Sequence, residues 1–307
     1  MNYRELGNTG VKISEIGMGT WEYKAGPDML RKAIDLGATF IDTAELFEEE
    51  TAENRGSEEV VGRAIKGIRE KVFVSTKTNH WRRKDVLRSA ETSLKKLGID
   101  CIDLYTVHWP NAKTPMEETL GAMEELAEQG KVRFLGVSNF SIGEMKRAQA
   151  ALRKHKIVSN QLRYNLIDRT IEPRLLPYCR QNGITLIAFS PLGHSFQRVR
   201  DCDPEDALGK VANEIGKTRA QVALNWCLRK PGVTAIPKTN SESHLVENCA
   251  SSGWQLSEEQ CSLLDQKVKF HRRGELEAAV RRFARGMFQK LSLDFNRRTL
   301  KFRVVRR

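Results

Sequence analysis

The chain has 307 residues, 40% of them hydrophobic and 29% charged, enough to bury the core of one large domain or two ordinary ones and too apolar for a disordered chain. It holds no run of eighteen apolar residues, and its first ten residues, MNYRELGNTG, lack the apolar core of a signal peptide, so a cytoplasmic protein without a membrane span is expected. The net charge of +12 raises nucleic acid as a partner, but residues 271–307 hold 12 Lys or Arg against 3 acids, leaving +3 for residues 1–270, and no nucleic-acid partner is expected.

In chain order, β-rich runs start at Glu15 (EIGM), Thr39 (TFID), Val72 (VFVSTK), Cys101 (CIDLYTVH), Val132 (VRFLGVS), Val158 (VSNQL), Thr185 (TLIAFS) and Thr234 (TAIPK). Helical patterns lie between them. In KDVLRSAETSLKKLG the residues Val86, Leu87, Ala90, Leu94 and Leu97 recur at helical spacing, with Gly98 as a stop. Eight βα units over about 270 residues predict an α/β fold of the closed (β/α)8 barrel type, the TIM barrel. An open doubly wound sheet is the alternative, but GMGTW at Gly17 lacks the GxGxxG phosphate fingerprint. Residues 1–270 are read as the barrel and 271–307 as a basic extension.

Six scattered cysteines, Cys101, Cys179, Cys202, Cys227, Cys249 and Cys261, form no CxxC pair. They read as mostly buried thiols, with neither a metal site nor a disulfide framework. In a barrel the chemistry belongs at the C-terminal strand ends. Polar residues there are Asp42, Lys77, His108, Ser138, Asn139, Gln161, Ser190 and Lys238. Asp42, Lys77 and His108 close three successive strands and form a candidate proton-handling group: an acid to hold an ammonium, the ammonium to lower a neighbouring pKa, and an imidazole to hydrogen-bond a carbonyl oxygen. Singly each has a plainer reading, as a helix cap, a surface cation and an interior histidine; their clustering favours function.

The ordered segments IDTAELF, VFVSTK, DLYTVHWP, GVSNF, NQLRYN, IAFSPLG and IPKTNSESHLVEN resemble the aldo-keto reductases over residues 3 to about 266. The resemblance implies reduction of aldehydes or ketones by a nicotinamide cofactor, NADPH (as NADP+ after turnover), with NADH possible, on a small carbonyl substrate. It also implies a catalytic set of Asp42, Lys77, His108 and a tyrosine five residues after the acid, where this chain has Phe47. Phenylalanine keeps the ring and deletes the proton, and a positioned acid contributes typically ~10² to 10⁴-fold, so impaired or inactivated reduction is expected. Phe47 marks an inactivating substitution or a protein that binds cofactor for regulation without turnover; a proton from His108 or water is the third reading. Tyr105 lies three residues before His108, on the opposite strand face. Glu48, Glu49 and Glu50 read as a solvated loop.

For the cofactor, the resemblance implies contacts from Gly19, Thr20, Trp21 and Asp42, and from Ser138, Asn139 and Gln161 on the carboxamide. Phe189 would stack on the nicotinamide. Ser190, Pro191, Leu192 and Gly193 would wrap the pyrophosphate. Ile236 would also contact the cofactor, Lys238, Thr239, Asn240 and His244 would surround the 2′-phosphate, with His244 where the family has arginine, and Glu247 and Asn248 would hold the adenine. The missing guanidinium fork reduces the expected discrimination against NADH. Trp21, Phe47, His108 and Trp109 would frame the substrate. In the extension, Leu276, Val280, Phe283, Met287 and Leu291 recur every three or four residues among arginines, a basic amphipathic helix expected to dock on the barrel, with an acidic surface or oligomerisation as the alternatives. Oligomeric state has no mark in the sequence.

Overall fold

The computed structural model describes residues 1–46 and 56–271. Phe47, the glutamate run after it and the amphipathic helix expected in the basic extension lie outside the described residues.

The chain opens with an antiparallel hairpin, β1 (Tyr3–Glu5) and β2 (Lys12–Ser14). The parallel strands follow: β3 (Met18–Gly19), β4 (Phe40–Asp42), β5 (Phe73–Thr78), β6 (Ile102–Val107), β7 (Val132–Ser138), β8 (Ile157–Arg163), β9 (Thr185–Phe189) and β10 (Val233–Ile236). They pair in sequence order as one 8-stranded sheet. The first and last strands meet: Ile16 bridges Ala235, Gly17 donates its N–H to the Ala235 carbonyl at 2.8 Å, and Gly19 donates to Pro237 at 3.1 Å. The sheet therefore closes into the (β/α)8 barrel expected from the alternation of runs.

Each strand run is apolar because it is covered on both faces. Inward residues Phe40, Phe73, Leu104, Val158 and Ile187 pack with Leu6 and Ile13 of the hairpin. The hairpin seals the N-terminal end, as Ser14 Oγ accepts the Phe40 N–H at 3.0 Å and Thr185 Oγ1 accepts the Gly7 N–H at 2.7 Å. The sequence reading did not include this hairpin. It is too short to show an alternating pattern.

Helices α1 (Gly26–Asp35), α2 (Ser57–Ile65), α3 (Arg83–Leu97), α4 (Met116–Glu128), α5 (Ile142–Ala151) and α6 (Leu175–Gln181) surround the strands. In α3 the stripe is oriented as its spacing implies: Val86, Ala90, Leu94 and Leu97 are buried, Leu87 is half-buried, and Gly98 ends the helix at φ +66°. Between β9 and β10 come α7 (Phe196–Asp201), α8 (Ala207–Ile215) and α9 (Arg219–Leu228), more than one βα unit needs; α10 (Glu242–Cys249) and α11 (Glu258–Lys267) follow β10. Ser141, Thr218 and Ser257 start α5, α9 and α11 with capping boxes.

The six cysteines are free, four buried and Cys101 and Cys202 half-buried. Burial pushes the Cys179 and Cys227 thiols up to about 12. No helix among the described residues is long and apolar enough to cross a membrane.

Candidate active site

Asp42 ends β4 and Lys77 lies one strand over on β5, so both side chains enter the upper end of the barrel. The Lys77 ammonium donates to Asp42 Oδ2 at 2.6 Å and to the Thr43 carbonyl at 2.7 Å. The other carboxylate oxygen accepts from Gln161 Nε2 at 2.8 Å and Ser75 Oγ at 3.1 Å. Residue exposures of 1% for Lys77 and 3% for Asp42 make this a buried ion pair, whose members depend on each other because neither charge retains its water. The cation is thus held at one point under the mouth, where surface lysines sample many rotamers.

His108 follows β6, its N–H bonded to the Thr78 carbonyl at 3.0 Å, and its ring stacks on Trp109 with centroids 6.2 Å apart. Asn139, at φ +64°, donates from Nδ2 to the His108 carbonyl at 3.2 Å and to Ser138 Oγ at 2.9 Å. Ser138 Oγ in turn donates to the Gln161 carbonyl at 3.1 Å. The polar ends of β4 to β8 are therefore one connected network. Tyr105 stands outside it: its hydroxyl donates to Ser89 Oγ of α3 at 3.0 Å, and burial raises its pKa. It is directed away from the barrel interior and supplies no proton there.

These residues line a cavity of about 350 Å³. Gly19, Thr20 and Trp21 form one side, with Trp109, Phe189 and Ile236 as its other apolar walls; Ser190, Pro191, Leu192 and Lys238 form the rim toward a second cavity of about 820 Å³. Leu192, Phe196 and Lys238 line both, so the two spaces form a continuous groove. Thr239, His244, Glu247 and Asn248 line the larger one. Among the described residues, two expected ones line neither cavity. At Gly193, which has φ +73°, an added Cβ would lie 3.2 Å from Ile167 and 3.3 Å from Val199, and the Asn240 amide is bonded to the backbone of Glu22 and Lys24.

Other lining residues were not anticipated. His194 meets Trp21 edge-on at 5.7 Å across the mouth. Arg200, Lys217 and Arg219 line the larger cavity. Arg219 is paired with Asp206, Nε to Oδ1 at 2.9 Å, and the pairing lowers the Asp206 pKa. His194 directly follows SPLG, which was a usable signal. The three cations sit on α7 and at the start of α9, and only the packing of these helices brings them together. Among the described residues no His, Cys, Asp and Glu cluster could hold a metal ion.

The model of the Aldo/keto reductase family matches residues 15–269. The chain is 35% identical over 265 residues to the methylglyoxal reductase YeaE of Escherichia coli, covering 83% of this chain and 91% of that one. It is 34% identical to the aldo-keto reductase YhdN of Bacillus subtilis, covering 84% and 91%. A crystal structure of an aldo/keto reductase from Klebsiella pneumoniae, in complex with NADP and acetate, superposes with a TM-score of 0.79 at 35% identity, over 89% of this chain and 97% of that one. With a closed barrel, a buried acid–amine pair at its mouth and matches spanning most of its length, the chain belongs to the aldo/keto reductase family.

Proposed function

We propose that this protein binds NADP(H) in the groove and reduces small aldehydes or ketones at the Asp42–Lys77–His108 end, at a rate limited by Phe47. The observation that carries the reading is the Lys77–Asp42 pair, buried at 2.6 Å beneath the cavity that also holds His108, Ser138, Asn139 and Gln161. The donor set fits the cofactor. Hydroxyl and amide groups of Ser138, Asn139 and Gln161 suit a carboxamide, the Phe189 ring suits a flat heterocycle, and the larger cavity has the cations for phosphate. Klebsiella relatives crystallised with NADP and with NADPH support the same assignment.

Carbonyl reduction needs a hydride and a proton. The bound nicotinamide supplies the hydride. His108 hydrogen-bonds the carbonyl oxygen and orients it, and the Lys77 ammonium provides positive charge near the developing alkoxide, held in place by Asp42. Trp21, Trp109 and Phe189 exclude water, which strengthens these interactions. Phe47 has no hydroxyl to complete the proton transfer, so a donor of higher cost, His108 or water, takes that part.

A second reading, a cofactor-binding regulatory protein without turnover, is favoured by Phe47 alone. NADPH oxidation measured with a panel of aldehydes before and after Phe47→Tyr separates the two. A gain of roughly 10² to 10⁴-fold on reversion supports the reductase. Silence in both forms, with NADPH still bound, supports the regulatory reading.

A further inference from the structure

The side chain of Asn240 bridges two loops that are 216 residues apart in sequence. Its Oδ1 accepts the Lys24 N–H at 2.8 Å and its Nδ2 donates to the Glu22 carbonyl at 3.2 Å. A backbone N–H only donates and a carbonyl only accepts, so these partners fix the orientation of the amide. The loops are neighbours because the barrel closes there: Gly19 of β3 is bonded to Pro237 after β10, and an added Cβ at Gly19 would come within 3.0 Å of the Ile236 carbonyl oxygen.

Each loop serves a different cavity. Asn240 directly follows Lys238 and Thr239, which line the larger one. The turn it grips carries Trp21, which lines the smaller one and reaches His194. That turn contains Glu22 at φ +52°, a left-handed conformation that a glutamate adopts only when its surroundings hold it. Its other side is anchored to the catalytic acid, since Thr20 donates from both N and Oγ1 to the Asp42 carbonyl, at 3.0 and 3.1 Å. Among the described residues, the strained turn that carries Trp21 is thus held at Asp42 and at Asn240.

We infer that Asn240 is a positioning residue that couples occupation of the larger cavity by the nucleotide phosphates to the placement of Trp21 at the carbonyl pocket. This rests on the proposed assignment of that cavity to NADP(H). A phosphate held by Lys238 and Thr239 immobilises the backbone leading into residue 240, and the amide passes that restraint to Glu22 and Lys24. In this way the bound cofactor sets one wall of the substrate pocket that it does not itself form.

Amide hydrogen exchange of the full chain, with and without NADP+, tests the coupling in the wild type, Asn240→Ala and Asn240→Asp. NADP+ affinity is measured in parallel by fluorescence titration. In the wild type, NADP+ is expected to slow exchange over residues 22–25, beyond the expected cofactor contacts of Thr20 and Trp21, by roughly threefold to tenfold, the worth of about one hydrogen bond. In Asn240→Ala the segment exchanges faster without cofactor and NADP+ no longer slows it, while NADP+ affinity stays within about threefold, since no cofactor contact has been removed. Asn240→Asp keeps the acceptor for Lys24, loses the donor to Glu22, and restores part of the effect. A simple structural role would speed exchange without removing the response to NADP+. Equal slowing by NADP+ in the wild type and Asn240→Ala overturns the inference. So does a loss of NADP+ affinity of more than about tenfold in Asn240→Ala, the size expected for a direct polar contact with the cofactor. Failure of the wild type to bind NADP+ instead removes the assignment of the cavity, and the inference with it.

Discussion

The ammonium of Lys77 and the carboxylate of Asp42 meet at 2.6 Å with almost no access to solvent. Removing one member strands the other as a buried, unpaired charge, which costs about 3 to 5 kcal/mol. Lys77→Met and Asp42→Asn are each expected to lower stability by about that amount. The double variant should lose less than the sum, because it leaves no unpaired ion. Urea denaturation of the four proteins checks this, and strict additivity would refute the coupling.

His244 and Lys238 both line the larger cavity, and the family resemblance implies an arginine at the position of His244. His244→Arg is expected to tighten NADPH binding by about tenfold, with little effect on NADH, because a bidentate guanidinium contact is regained. Lys238→Met should weaken NADPH at least as much. Fluorescence titrations with both nucleotides measure the ratio. NADH binding more tightly than NADPH to the wild type would contradict the preference.

Glu124 of α4 is buried, which alone would raise its pKa, but the backbone N–H groups of Lys154, His155 and Arg153 donate to it and hold it down at about 2. The folded-state pKa is thus depressed below the ordinary glutamate value of 4.5. Its stabilisation is therefore complete above the unfolded-state pKa and lost as pH falls toward 2. Glu124→Ala leaves those donors unsatisfied and is expected to cost about 1 to 3 kcal/mol at pH 7. The gap from wild type should narrow through the acid range in denaturation curves taken between pH 7 and pH 2.

Gly136 of β7 faces the barrel interior, where an added Cβ would lie 2.6 Å from Ser159 Oγ and 2.8 Å from Thr106 Oγ1. Both neighbours are buried and cannot swing into solvent. Gly136→Ala is expected to destabilise by about 1 to 3 kcal/mol through overpacking. A lower urea midpoint with an unchanged slope is the signature.

The division into a barrel and an extension has its own test. Leu264 and Val268 are buried at the end of the barrel, and His271 pairs with the loop after β8, donating to the Ile167 carbonyl at 2.8 Å and accepting from the Arg169 N–H at 3.1 Å. Truncation after residue 271 is expected to leave the melting temperature within a few degrees, the shift that about 1 kcal/mol gives in a chain of this size. A collapse of the melting transition would make the extension part of the core.

Much of the barrel was legible because a parallel strand buried on both faces has an apolar run as its direct sequence image, and Gly98 marks a helix end by backbone sterics alone. The hairpin β1–β2 and the helices between β9 and β10 were not, since their placement follows from surfaces the barrel must cover. The same division runs through the site. Asp42, Lys77 and His108 are legible as polar residues where apolar runs stop, and a strand end in a barrel leads to the mouth. Phe47 lies outside the described residues, and its reading rests on the family resemblance alone.

Chemical character, the order of strands and the identity of the polar strand ends were thus determined by local sequence. Only the tertiary structure decided which distant residues touch: Gln161 on Asp42, His194 against Trp21, and Asn240 on the turn from Glu22 to Lys24. The physical reason is barrel closure. It brings the first strand beside the last, and side-chain partners across that seam have no periodicity or spacing in the chain to announce them.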